Sequence, residues 1–492
     1  MRCAKYMNYV RLIGAAFLLL HLSSCSDFTE LQPKGKNVLS TVDQLETLLN
    51  YEYAIGGSDW TTKDMRTMCN DIIYAVSPVS TAISQPNKSR DVIMWTWDES
   101  SLDLMAQLTA TDEDYDEFYG IIGTICNPVL QKIDEADGAD VKKRQIRCEA
   151  LTLRALCHYI MVNKFAAAYN PATAATTRGI IVMTEDVDIN VPQEQKTLQE
   201  VYGQILADVN EAIELDGLPQ TAVNRERMSK PCPYAIKALV MASMQQWDEA
   251  EKAAKQALAI DGTLVDLTSP AYERILSGLL IGGRYPVVYK QKCQFPEDYF
   301  FTYAMELFSS ITPQTQQSFE EGNVNWTKMG IADMGYDYMM NPAQLMIGEP
   351  DYVMTYDMES GWNTAGLRVP QMYLIVAEAE IHKGNITEAM HILDQIRVKR
   401  ISSDTYRPLE GAVTSETEAI AVLKQTSLAE NYTTYYSFID KKRWNQVKGW
   451  EETFTRTLAG KTYVLRPDSK MWIFPFPMNV VSHNPNIIQN YK

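Results

Sequence analysis

Several residue groups in this chain have types and spacings that could do chemistry, and each falls short at an identifiable position. Gly460-Lys461-Thr462 has the ending of a phosphate-binding loop. The glycine that opens such a loop would fall at position 455, where Thr455 stands, so the tight cradle of backbone amides cannot form. Asp112-Glu113-Asp114-Tyr115-Asp116 resembles the start of a calcium loop, but Glu117 occupies the place that needs glycine for the sharp turn. A cluster of acids at a helix N-terminus accounts better for these residues. The same glycine is missing after Asp186, Asp188 and Asn190. No G-x-S-x-G elbow occurs. Beyond the first 24 residues the histidines are His158, His382, His391 and His483, and none has a histidine one helical turn away. A metal shared on one helix needs that spacing. Two carboxylates that meet only in space, as glycosidases use them, leave no trace in a sequence, and no residue here argues for such a pair. The chain reads as a binding protein rather than an enzyme, with no metal or cofactor expected.

What could bind is a surplus of aromatic side chains outside the regular helical patterns: Trp60, Trp95, Trp97, Trp326, Tyr336, Tyr338, Tyr352, Tyr356 and Trp362. A flat apolar ring beside polar neighbours suits the C–H face of a sugar or the side chains of a peptide. Core packing is the competing use of each ring. Trp326 stands in Gly322-Asn323-Val324-Asn325-Trp326, where amide side chains flank the indole with donors and acceptors.

The elements that must position these residues are mainly helical. Leu45, Leu48 and Leu49 share one face of a helix expected over Thr41 to Tyr53, with Thr41 as its cap. Helical spacing resumes at Tyr115 and predicts a long helix over 140–165 and another over 197–215. Tyr234 to Met244 and Trp247 to Asp261 form a helix pair across a Gln245-Gln246 turn. Ala250, Ala254 and Ala257 make a small-residue face that lets two helices approach closely, as in a tetratricopeptide repeat. The arrangement recurs over Met372 to Lys383 and Ile386 to Lys399, with Gly384-Asn385 at the turn and Ala389, Leu393 and Ile396 at matching offsets. Residues 263–368 break the pattern with many glycines and prolines and a strand-like run at Tyr285 to Tyr289. Long irregular inserts of this kind usually carry function.

The N-terminus carries the strongest local signal. Arg2, Lys5 and Arg11 precede the apolar run Leu12 to Leu20, which is short of the roughly 20 residues a membrane span needs. Leu22-Ser23-Ser24-Cys25 then looks like a bacterial lipobox, with cleavage before Cys25 and acylation of its thiol and new amino group by fatty acids such as palmitate. Several acyl chains together anchor stably. No other stretch is long and apolar enough to span a bilayer. The full charge is −17; removing Arg2, Lys5 and Arg11 from 45 basic residues leaves 42 against 62 acidic ones, a charge of −20. No dense basic cluster exists to grip phosphates, so nucleic acid is not an expected partner. The cysteines beyond Cys25 lack regular spacing and read as buried free thiols.

Taken together, these segments resemble the SusD/RagB family of outer-membrane lipoproteins of the Bacteroidetes. The resemblance rests on Cys25-Ser26-Asp27-Phe28 with Leu31 and Pro33, and on EALTLRALCHYIMVNKF over 149–165. It extends to VYGQILADVNEAIELDGLP over 201–219 and VPQMYLIVAEAEIHKGNITEAMHILDQIRVKR over 369–400. Pro475, Pro477 and Asn484-Pro485 complete it. The chain departs from the family pattern at Ser427 to Trp444, which keeps Glu430 and Lys442-Arg443-Trp444 but loses a glycine, and at Phe165-Ala166, where the family has Phe-Gly. The resemblance implies a mainly α fold, a scaffold of about four tetratricopeptide-like helix pairs with a loop-rich mixed α/β insert subdomain. It implies a signal peptide over 1–24, a lipid-anchored tether over 25–40, an N-terminal SusD-like region over 41–262, a ligand-binding insert over 263–368 and C-terminal repeat helices with a tail over 369–492. It further implies a lid on a SusC-like TonB-dependent barrel transporter that captures a glycan. Peptides as the cargo, a surface-anchored hydrolase and a repeat scaffold with no small ligand are the alternatives. Asp71, in an Asn-Asp pair, resembles an acidic position of the family's N-terminal binding region, and Trp97, Trp326 and Trp362 are the aromatic choices for the ligand site. Replacing Cys25 by Ala is expected to release the protein from the membrane fraction; a Cys25→Ala protein that still sediments with membranes after a high-salt wash contradicts the anchor.

Overall fold

In the computed structural model the described residues are 39–50, 62–270, 291–292, 295–302, 309–324, 346–354, 360–361, 363, 366–432 and 434–491. Cys25, the leader and tether, the strand-like run at 285–289, Trp60, Trp326, Tyr336, Tyr338, Tyr356 and Trp362 lie outside them. Thr41–Lys492 forms one compact unit, so the described residues of 263–368 fold together with the helices on either side.

The first helix, α1 (Val42–Leu49), starts where the sequence supplies a reciprocal cap. The Thr41 hydroxyl accepts from the Gln44 amide at 3.3 Å, and the Gln44 side chain accepts from the Thr41 amide at 3.2 Å. Helices α2 (Lys63–Met68) and α3 (Arg90–Thr96) are short, with strand β1 (Ile72–Tyr74) between them. The acid cluster opens α4 (Glu113–Ile121), with the Asp112 carboxylate accepting from the Tyr115 amide.

Helix α5 (Asp140–Phe165) runs for 26 residues. From Cys148 to Phe165 every side chain is buried, charged ones included. The charges survive burial because each has an opposite partner on another element. Glu149 pairs with Arg227, Arg154 with Asp208 through two bonds of 2.8 Å, and Lys164 with Asp112 and Asp114 at 2.7 and 2.5 Å. Burial, with Asp112 alongside, raises the Asp114 carboxyl even against the pull of Lys164. Asp208 sits on α6 (Leu198–Leu215), which packs along α5 and begins with its own reciprocal cap between Thr197 and Glu200.

Three further helix pairs follow. Helices α7 (Pro231–Ser243) and α8 (Trp247–Ile260) pack closely because Ala250, Ala253, Ala254 and Ala257 present almost no side chain; all four are at most 1% exposed. After the insert, α8 also receives α10 (Val369–His382), which pairs with α11 (Ile386–Arg397) across Gly384 at φ +79°, a conformation that favours glycine. Helices α12 (Glu416–Asn431) and α13 (Tyr435–Trp444) form the last pair. With α5 and α6 these make four helix pairs, the mainly α scaffold expected from the repeats. Helix α9 (Pro313–Gln316) lies in the insert.

Strands are few and short. Strand β2 (Ser309–Ile311) lies between β1 and β3 (Val353–Met354) in an antiparallel sheet, with Ile72 opposite Ile311 and Ile311 opposite Val353. That sheet ties the insert to the N-terminal region. Strands β4 (Phe454–Leu458) and β5 (Lys461–Leu465) form a hairpin with Ala459 and Gly460 both at positive φ, so the Gly460-Lys461-Thr462 triplet is a tight turn entering a strand. The C-terminal segment closes over the end of α5, where Phe476 stacks on Phe165 at 5.5 Å. Cys69, Cys126, Cys148, Cys157 and Cys232 are buried and free.

A buried charge cluster holds the insert to the repeats. Arg400 contacts Glu297 at 2.9 Å and Glu430 at 2.8 Å, and donates to the Val265 carbonyl at 2.6 Å. Arg368 reaches Glu297 at 2.7 Å and the Glu430 carbonyl at 3.1 Å. The Glu430 that the family resemblance singles out is therefore a structural counter-ion. Replacing Ala257 by Phe is expected to overpack the α8 contact at a cost of about 1–3 kcal/mol, read as a lowered midpoint in denaturant; an unchanged midpoint contradicts close helix approach there.

Candidate functional site

Asp71 follows Asn70, which bends the chain at φ +70° into β1. The Asp71 side chain is fully buried: one carboxylate oxygen is ion-paired with Lys441 and the other accepts from the Cys69 thiol at 3.2 Å. Burial pushes the Cys69 thiol well up, and the adjacent carboxylate adds to it. Trp97 is 5% exposed. It caps α3 in the left-handed region at φ +45°, an unfavourable conformation for a bulky residue. Its indole N–H donates to the Met68 carbonyl at 2.9 Å, and the Arg456 guanidinium lies 4.1 Å from its ring centre. Asp71 and Trp97 thus brace the interior beneath the β1–β2–β3 sheet. Two other aromatics expected in loops are core residues as well. Trp95 sits on α3 and Tyr352 packs beside it in one apolar cluster, with its hydroxyl bonded to the Thr457 carbonyl.

The chain that leads to Trp326 is described up to residue 324, and an open groove of about 570 Å³ runs beside it. Gln316, Phe319, Glu320, Asn323, Val324 and Ser402 line this groove. Its walls are held from behind. Glu320 makes a two-pronged pair with Arg397 at 2.8 and 2.6 Å, Val324 donates to the Arg400 carbonyl at 2.8 Å, and Phe319 meets Tyr432 edge-on at 5.4 Å. Gly322 is at φ +77°, and a Cβ there would lie 2.1 Å from the Thr405 hydroxyl, so the turn closes only on glycine. The groove offers amides, a hydroxyl and a ring, which suits hydrogen bonding to a neutral ligand and supplies no paired nucleophile and base.

The histidines occupy separate places. His158 is buried, accepts from the Met183 amide at 3.2 Å, and is pushed down to about 3, first by burial and then by Arg154. His382 lies flat between Trp247 and Trp450, with ring centres 3.9 and 4.5 Å away. His391 pairs with Glu410 at the surface. Among the described residues no group of three or more His, Cys, Asp or Glu side chains could hold a metal ion, and no helix is long and apolar enough to cross a membrane.

The sequence reading did not single out Gln316 and Ser402 for the groove or Lys441 as the partner of Asp71. No local pattern marks them: Lys441 lies 370 residues from Asp71, and Gln316 and Ser402 meet at the groove from separate segments.

Fold and charge network define a helical-repeat scaffold carrying an irregular insert. Residues 39–241 match the SusD-like_3 family model, described as "Starch-binding associating with outer membrane". A SusD superfamily protein from Bacteroides thetaiotaomicron shares the fold with a TM-score of 0.65 at 17% identity, over 92% of this chain and 100% of that one. A putative sugar binding protein from Bacteroides vulgatus gives 0.65 at 15% identity, over 93% and 99% of the two chains. A SusD-like carbohydrate binding protein from the same species gives 0.60 at 16% identity, over 91% and 97%. No curated protein matches the sequence. Residues 39–241 are thus similar to the SusD-like family, and the chain as a whole shares the fold of these solved structures.

If the Asp71–Lys441 pair braces the interior, Lys441→Met leaves a buried carboxylate unpaired and is expected to cost about 3–5 kcal/mol. Equilibrium unfolding in urea measures it, and a loss below about 1 kcal/mol contradicts the bracing role.

Proposed function

We propose that this protein is a lipid-anchored binding protein of the bacterial outer-membrane surface that captures a glycan and acts as the lid of a SusC-like TonB-dependent barrel transporter. The match of residues 39–241 to the SusD-like family carries the reading. Cys25 holds the acyl chains, residues 25–40 tether the folded unit, and the insert over 263–368 takes the ligand. Trp326 and Trp362 supply stacking faces, and the groove lined by Gln316, Asn323 and Ser402 supplies hydrogen-bonding groups. Asp71 and Trp97, both buried, brace the interior of the same fold.

Binding rather than turnover fits how the charged side chains are used. Glu149, Asp208, Glu297, Glu378 and Glu430 all face arginines inside the scaffold. A carboxylate locked in that way is a poor general acid or nucleophile, since catalysis needs one free to exchange a proton or attack.

Two measurements on one variant test the ligand assignment. Trp326→Ala is expected to weaken binding to the glycan selected from an array by more than about tenfold while changing stability by no more than about 0.5 kcal/mol. A buried structural tryptophan would instead cost about 3–5 kcal/mol. Large destabilisation with unchanged glycan affinity removes Trp326 from the site. A flat array profile for the wild-type protein, with transporter binding retained, removes the glycan.

A further inference from the structure

A second cavity shares no lining residue with the groove along Gln316 to Val324. It has a volume of about 360 Å³ and is enclosed by α9, the last helix pair α12 and α13, the turn carrying Gly449 and Glu452, and Phe454 at the start of β4. That volume is at the small end of the roughly 300–1,000 Å³ typical of small-molecule sites. Its walls are held in place by long-range bonds. Lys424 donates to the Trp450 carbonyl at 2.6 Å and reaches Glu452 at 3.3 Å, and Gln314 joins Glu452 at 3.1 Å and Asn70 at 2.6 Å.

The charges on these walls are already answered. Lys424 faces Glu452, Lys441 faces Asp71, and Asp440 faces Arg443 at 2.9 Å. No excess of one sign is left to attract an ion. The aromatic faces are taken as well, since the Lys424 ammonium sits 5.7 Å from the Trp444 ring centre and Lys441 5.1 Å from that of Phe454. What the cavity has to spare is neutral hydrogen-bonding capacity. The Ser437 hydroxyl lines it, is only 3% exposed, and has no hydrogen-bond partner among the described residues. An unanswered buried hydroxyl costs stability and is rare in folded proteins. Gln317 and Gln425 add side-chain amides on the same walls, while the Ser427 hydroxyl is already shared between Asp440 and Asn431 at 3.3 Å.

We infer that this cavity is a second ligand site, one that takes a neutral, hydroxyl-rich small molecule of the size of a mono- or disaccharide unit and holds it by hydrogen bonds to Ser437 and the glutamine amides. The carbohydrate identity rests on the function proposed above; the neutrality and size rest on the cavity itself. The site differs in kind from one built on free indole faces, because its recognition is by hydroxyl pattern.

Ala421 lines the cavity and is exposed on α12, so Ala421→Trp narrows the entrance without entering the core. Ser437→Ala removes the unanswered hydroxyl and is expected to leave the melting temperature unchanged or raised. The probes are glucose, galactose, mannose, xylose, maltose, cellobiose and lactose, measured by saturation-transfer NMR and titration calorimetry on the full folded chain. At least one of them is expected to bind. Ala421→Trp should lower that affinity at least tenfold and Ser437→Ala about three- to tenfold, while Trp326→Ala leaves it unchanged. Saccharide binding that is lost in Trp326→Ala and untouched in Ala421→Trp overturns the second site and leaves the glycan reading standing. Failure of the wild-type protein to bind any of these saccharides or any glycan on the array overturns both. Binding of dipeptides that is sensitive to Ala421→Trp, with no saccharide bound, assigns the cavity to a different ligand and overturns the inference as stated.

Discussion

Arg400 is 1% exposed, and its guanidinium is the point where distant parts of the chain are made to meet. Taking a guanidinium out of water costs several kcal/mol unless carboxylates and carbonyls replace the lost hydration in good geometry. Here the replacements are Glu297 from the insert, Glu430 from α12 and the Val265 carbonyl from the chain leaving α8. Arg368 closes the ring by sharing Glu297. Once these groups converge, the neighbouring backbone has little freedom: Leu267 bonds to the Lys399 carbonyl and Val369 to the Glu297 carbonyl. The start and the end of the insert are thereby fixed against the third and fourth helix pairs, and the irregular chain between them is held at both ends.

The same logic repeats along the scaffold. Arg443 takes Glu378 from α10 through two bonds of 2.5 Å, and the Trp444 indole N–H shares that carboxylate at 2.9 Å. Lys442, next to it, has no carboxylate and donates to the Asn163 and Ala166 carbonyls at 2.6 Å; burial drives its ammonium well down. Because strong charges are used internally, the groove and the cavity are left with amides and hydroxyls. Contacts of that kind discriminate by geometry and are little affected by ionic strength, unlike surface charge attraction.

The helices were legible where apolar periodicity ran long enough to be counted. The long helix at 140–165 and the one beginning at Trp247 have the expected positions, and Thr41 and Thr197 cap as their types suggest. The motif residues Glu149, Arg154, Glu430 and Arg443 stood out as pattern, but their purpose did not. Their partners lie elsewhere in the sequence, Asp208 being 54 residues from Arg154 and Arg227 78 from Glu149, and nothing local marks such a pair. The aromatics of 60–100 were harder. Helix α3 has seven residues, too few for its period to show, so Trp95 and Trp97 looked like loop residues when they belong to the interior. For the candidate site, the sequence pointed to the insert; the groove beside Val324 and the cavity under α12 arise from convergence in space.

The longest-range contacts bear on when this chain can become a folded object. Lys441 reaches back 370 residues to Asp71, and Arg456 reaches 386 residues to Asn70. The interior around β1 is therefore completed by the last tenth of the polypeptide. Contacts at such separations are slow to form, because loop-closure entropy is spent before they return anything. A nascent chain lacking its final hundred residues cannot close its N-terminal region. Under the export proposed for this chain, that delay would have a use: it would keep the polypeptide threadable until its whole length has been made.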